Sequence, residues 1–90
     1  MNEDKFNELK KKLNETQSYP TVYMFKFIMD AEHRKIALVE SLFSENAEIY
    51  TKESDKGKYI SITVTEVMMS TEEIIAIYVK ASEIKGVMLL

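Results

Sequence analysis

The 90-residue chain has no cysteine, a single proline, a single histidine and only two glycines. Without thiols it has no disulfide, no thiolate metal site and no cysteine nucleophile, and nothing calls for an oxidising compartment. One imidazole cannot build a histidine metal centre within one chain. So little glycine and proline leaves scant material for irregular segments, so the connections must be short. No apolar run approaches the roughly 18 residues of a membrane span, and Met1 to Lys12 is charged where a leader would be apolar. Neither sign of charge dominates: the net charge is −3, and Lys10, Lys11 and Lys12 are offset by Glu3, Asp4, Glu8 and Glu15. Bulk electrostatics therefore does not draw the chain to nucleic acid or anionic lipid. The expectation is a cytoplasmic protein with no cofactor and no membrane partner.

What is present is the material of a folded, element-rich domain, 46% apolar and 30% charged. A chain this short buries about 60 to 65% of the surface its unfolded form exposes, enough for one small core between two layers. Residues 1–90 read as one domain, with an N-terminal helix and connector over 1–18 and a core over 19–90.

Phe6, Leu9 and Leu13 form a narrow apolar stripe on a charged helix from about Glu3 to Glu15. Tyr19-Pro20 ends helical geometry, because proline lacks the amide proton and pushes its predecessor toward extended backbone. Thr21 to Met29 alternates Tyr23, Phe25 and Phe27 against Val22, Met24, Lys26 and Ile28, the period of a strand whose lysine marks the wetter face. Asp30 is placed to cap a helix over Ala31 to Glu45, with Ile36, Val39, Leu42 and Phe43 inward. Ala47 to Glu53 reads as a charge-dressed edge strand with Ile49 inward. Ser54-Asp55-Lys56-Gly57-Lys58-Tyr59 then turns the chain into a return strand, Ile60, Ile62 and Val64 against Tyr59, Ser61, Thr63 and Thr65. Ser70 and Glu73 make a capping box for a helix carrying Ile74, Ile77, Tyr78, Ala81 and Ile84, and Lys85-Gly86 closes it. Val87 to Leu90 reads as a last strand.

The order β-α-β-β-α-β, with right-handed crossovers and both helices on one side, closes as an α+β, ferredoxin-like two-layer sandwich. Its four-stranded antiparallel sheet has order 4-1-3-2, preceded by the extra N-terminal helix.

Two stretches resemble the YbeD-like bacterial proteins of unknown function: Tyr19-Pro20-Thr21 leading to Tyr23, Phe25 and Lys26, and the hairpin Ser54 to Tyr59 followed by Ser61. The family pattern there runs roughly Phe-Pro-Thr and Ser-Ser-Lys-Gly-Asn-Tyr; this chain has Asp55 and Lys58 in place of the usual serine and asparagine. The resemblance covers about Leu13 to Leu90. It implies a ferredoxin-like fold similar to ACT regulatory domains, small modules that often dimerise and bind amino acids, and it supplies no activity. True ACT domains carry a glycine in the loop corresponding to Asp30 to Arg34, and this chain has none there.

No set of side chains assembles a catalytic group, so an enzyme is not expected. His33 falls in a first helical turn beside Glu32 and Arg34, and Glu72-Glu73 favour the positive end of a helix dipole without acid-base work. An RRM-like role in binding single-stranded RNA is the competing reading. It requires aromatics where Lys58, Ile60 and Thr63 stand, with Tyr59 one place out of phase. The candidate binding residues are Met24, Lys26, Tyr50 and Lys52 on the open sheet face, with Thr63, and Ser54, Lys56, Gly57, Lys58 and Tyr59 at the hairpin. Ile75 and Val79 on the last helix, with Val87 and Leu89 on the sheet edge, are candidate homodimer contacts. The expected function is a small non-enzymatic regulatory or interaction module for a protein partner or small effector. Self-association alone is the third reading.

Overall fold

The alternation read between Tyr59 and Thr65 becomes the spine of the sheet. In the computed structural model, which describes residues 5–90, Ile60, Ile62 and Val64 are buried and the residues between them are not. The elements are α1 (Asn7–Thr16), β1 (Thr21–Asp30), α2 (His33–Glu40), β2 (Glu48–Glu53), β3 (Tyr59–Met68), α3 (Thr71–Ser82) and β4 (Met88–Leu89). The fold is α+β, and the described residues form three helices and one four-stranded sheet whose order is β2-β3-β1-β4. Every strand pairing is antiparallel. Read from the other edge the strands run β4, β1, β3, β2.

β1 and β3 pair along their whole length, from Thr21 opposite Met68 to Asp30 opposite Tyr59. One face of this ladder carries Phe25, Phe27 and Met29 of β1 and Ile60, Ile62 and Val64 of β3, all buried. Phe43, just beyond α2, packs edge-on to Phe25 at 5.2 Å between ring centroids, and Tyr78 of α3 sits 5.3 Å from the same ring. The helices therefore cover this face, and Val39, Ile74 and Ala81 complete the core at 0% exposure.

α3 begins as its sequence dictates: the Ser70 hydroxyl accepts the Glu73 amide at 3.1 Å, and the Glu73 carboxylate accepts the Met69 amide at 3.1 Å. α2 is shorter than expected. Asp30 is held in the β1–β3 ladder and accepts from Lys35 Nζ at 3.2 Å, so the helix starts after Glu32, which makes no side-chain cap. The helix stops at Glu40, where the Ser41 hydroxyl donates to the Leu38 carbonyl at 2.6 Å; Leu42 and Phe43 still pack on the core from the turn beyond. Ile49 shares the side of its partner Val64, yet β2 lies at the sheet margin and Ile49 is 41% exposed.

The N-terminal stripe finds its surface on α3. Phe6 stacks on Tyr78 at 5.8 Å, Leu13 is buried, and Asn7 and Lys10 border a groove against Ile75 and Ala76. The expected start of this helix at Glu3 lies outside the described residues.

Candidate functional site

All three helices pack on one side, which leaves the other side of the sheet bare. Register assigns its residues: level with Glu48 of β2 stand Thr65 and Met24; level with Tyr50 stand Thr63 and Lys26; level with Lys52 stand Ser61, Ile28 and Met88. The Leu90 amide donates to the Lys26 carbonyl at 2.9 Å, so Leu90 continues the Tyr50 level across the sheet. Tyr50 is 66% exposed, Met24 62% and Met88 61%, and Val22, Tyr59, Val67 and Leu90 are exposed beside them. Several large apolar side chains are thus exposed together on one side of a small domain. Its charges are few: Lys26 near the middle, and Glu48 and Lys52 two residues either side of Tyr50 along β2. Ser61 and Thr63, not aromatic residues, occupy the centre of β3.

The sequence-derived residues Met24, Lys26, Tyr50, Lys52, Tyr59 and Thr63 are thus brought onto one face. The hairpin sits at its end. Ser54 and Tyr59 close it with two bonds, Ser54 N–H to the Tyr59 carbonyl at 2.9 Å and Tyr59 N–H to the Ser54 hydroxyl at 3.1 Å. Gly57 takes φ 68°, a conformation that costs a side-chain-bearing residue a Cβ clash, and donates to the Ser54 carbonyl. The Lys58 ammonium lies 5.5 Å from the Tyr59 ring centroid, within cation–π range. Lys56 is exposed at the tip. Behind the turn, Ile28, Lys52, Ser54, Tyr59 and Ser61 line a shallow depression of about 210 Å³.

The candidate dimer contacts are corrected by the same geometry. Ile75 is buried at 7% exposure and Val79 packs against the core, because α1 lies along α3 and supplies the partner that sequence alone left open. Leu89 pairs with Phe27 and therefore shares its buried side, and Val87 also packs on the core. The exposed residues at that edge are Met88 and Leu90, one place out of phase with the expectation. The pairing partner Phe27, inward in β1, was the only signal that could have set this phase.

The titratable groups offer little chemistry. His33 is exposed at the first position of α2, and no group of metal-ligating residues occurs among the described residues. Lys35 is shared between Asp30 at 3.2 Å and Glu32 at 3.8 Å. Tyr78 is the one strongly perturbed group among the described residues: burial raises its phenol above the ordinary range, and the Tyr23 hydroxyl, 3.1 Å away, raises it further. A second cleft of about 320 Å³ lies between α2 and the connection after α3, where Glu32 and Glu83 alternate with Arg34, Lys35 and Lys85.

Residues 14–90 match the family described as Protein of unknown function (DUF493). The chain belongs to that family. The match includes every strand, α2, α3 and the hairpin, and this is the YbeD-like bacterial family that the hairpin resembles. Curated relatives carry the name UPF0250 protein. One from Shewanella piezotolerans is 32% identical over 80 residues, 84% of this chain and 91% of the relative. One from Shewanella halifaxensis has the same identity and coverage, and one from Shewanella oneidensis is 29% identical over 83 residues, 88% of this chain and 94% of the relative. No solved structure matches the chain. No helix among the described residues is long and apolar enough to cross a membrane.

Proposed function

We propose that this DUF493 protein is a small non-enzymatic interaction module that works in the cytoplasm and binds a protein partner, or a small effector, through the bare face of its sheet. The architecture supporting that face is read as ferredoxin-like, from the order β2-β3-β1-β4 with all helices on one side. One observation carries the functional reading: Met24, Tyr50, Met88 and Leu90 are each more than half exposed on a single surface, with the hairpin lysines at its end. Flexible thioethers, an aromatic ring and a cation together are the composition of a contact surface.

The test is affinity capture with purified wild-type protein beside two variants, Met24→Lys/Tyr50→Lys on the face and Lys56→Ala/Lys58→Ala/Tyr59→Ala at the hairpin. The face variant should lose the bound protein or metabolite that wild type retains, with its circular dichroism unchanged. If both variants retain everything that wild type retains, the sheet face is not the working surface.

A further inference from the structure

Resting on that reading of the sheet face, we infer that its occupant is a second copy of this chain, docked face to face about a two-fold axis that crosses the strands at the level of Tyr50. Such an axis keeps each strand opposite its own counterpart and exchanges the levels on either side. The level of Glu48 then meets the level of Lys52.

The consequences follow from register alone. Glu48 of each copy faces Lys52 of the other, so two ion pairs of identical geometry form at the β2 margin. Met24 faces Ile28 of the other copy, apolar on apolar, twice. Thr65 meets Ser61, and Tyr50 meets Tyr50 on the axis. A two-fold interface must be complementary to itself in this way, residue i touching j while j touches i. Turning the axis to run along the strands lays β2 over β4 instead. Lys52 then meets Met88, Tyr50 meets Leu90 and Glu48 finds no residue of β4 opposite it, so the charge match is lost.

Packed sheets keep their strands within about 30° of each other because each sheet twists. That offset displaces the margins by about one residue, a distance the long side chains of Glu48 and Lys52 span. The area is sufficient. β4 ends at the level of the axis and finds no counterpart across it. The 10, 6 and 10 residues of β1, β2 and β3, at about 3.3 Å per residue and about 4.8 Å between strands, give a flat footprint of roughly 400 Å² per copy. Side chains standing on the sheet expose more than the flat area, so the pair reaches the roughly 1,000 Å² that separates specific interfaces from incidental ones.

One feature opposes the arrangement. The two Lys26 side chains approach each other near the axis, each laying its stem on apolar neighbours and sending its ammonium toward the rim. This gives the inference a signature of opposite sign, since Lys26→Met should tighten the dimer.

Sedimentation equilibrium of the full chain at about 50 µM, a concentration that populates a micromolar dimer, should give twice the 10.5 kDa of one chain. Glu48→Lys and Lys52→Glu each turn two attractions into two repulsions, so each should weaken association by about tenfold. The swap Glu48→Lys/Lys52→Glu should restore it to within about threefold of wild type. All three changes sit on an exposed edge strand, and unchanged circular dichroism confirms folding. A monomeric wild type overturns the inference, as does a dimer indifferent to the single changes or not rescued by the swap. If wild type is monomeric yet the face variant of the capture experiment loses a bound partner, the second copy is ruled out and the sheet-face function stands. If neither dimer nor partner depends on the face, both readings fall.

Discussion

Replacing Phe6 by alanine tests how the helical layer is held together. The side chain is 8% exposed and its ring is stacked on Tyr78 at 5.8 Å, so it ties α1 to α3 at the point where α1 begins. Truncating a buried phenylalanine costs about 3 to 5 kcal/mol in a rigid interior. A terminal helix can settle into the space, which places this site at about 2 to 3 kcal/mol, of which the ring pair accounts for about 1 kcal/mol. The whole domain holds about 5 to 13 kcal/mol at its size, so the loss is a substantial share. Urea unfolding followed by circular dichroism should show the midpoint falling by about 2 M. α1 has only 10 residues, too few to persist without its dock, so its amides should also lose hydrogen-exchange protection while those of β3 keep theirs. A loss below about 0.5 kcal/mol with α1 still protected would refute the account of α1 as the cover of this side of α3 at Ile75 and Tyr78.

Gly57→Ala should cost about 1 kcal/mol in the same unfolding assay. The nearest obstacle to a new Cβ is Glu53 Oε1 at 3.4 Å, ordinary contact, so the cost is conformational, and an unchanged midpoint would show that the turn does not need positive φ. Tyr78 supplies a pH dependence. Its folded pKa is raised above the unfolded value of 10.0, so the stability linked to it is whole below that pH and drains away as the pH climbs from 10.0 toward the folded value. Alkaline titration should therefore unfold wild type at lower pH than Tyr78→Phe, relative to each protein's stability at neutral pH; equal alkaline losses would remove Tyr78 as the cause.

The middle of the chain was the most legible. Between Tyr59 and Thr65 one side chain in two is apolar, and only a strand with one buried face uses that period, so β3, its hairpin and the open face could be read together. The capping box at Ser70 was equally plain because its partners are local. Other features depended on distant partners. Phe6, Leu9 and Leu13 define a stripe but not what it lies on, and the matching stripe, Ile75 and Val79, is more than 60 residues away. Val87 to Leu90 is apolar at every position, so no alternation fixes its phase; only the pairing with Phe27 turns Leu89 inward and Met88 outward. Asp30 has a good capping side chain, but the ladder with Tyr59 claims it first. The position of Glu48 and Lys52 at equal steps from Tyr50 was visible in the sequence, while its meaning depends on the levels that register sets across the sheet.

The lopsided build of this molecule also divides its sulfur. Met29 and Met68 lie within the core at 2% and 3% exposure, whereas Met24, Met69 and Met88 stand at about 60%. Peroxide will reach the outer thioethers first, and a sulfoxide there converts a soft greasy surface to a polar one without touching the fold. Oxidation would thus change the chemistry of the exposed side while the covered core methionines kept the scaffold intact, and the change is one that methionine sulfoxide reductases reverse.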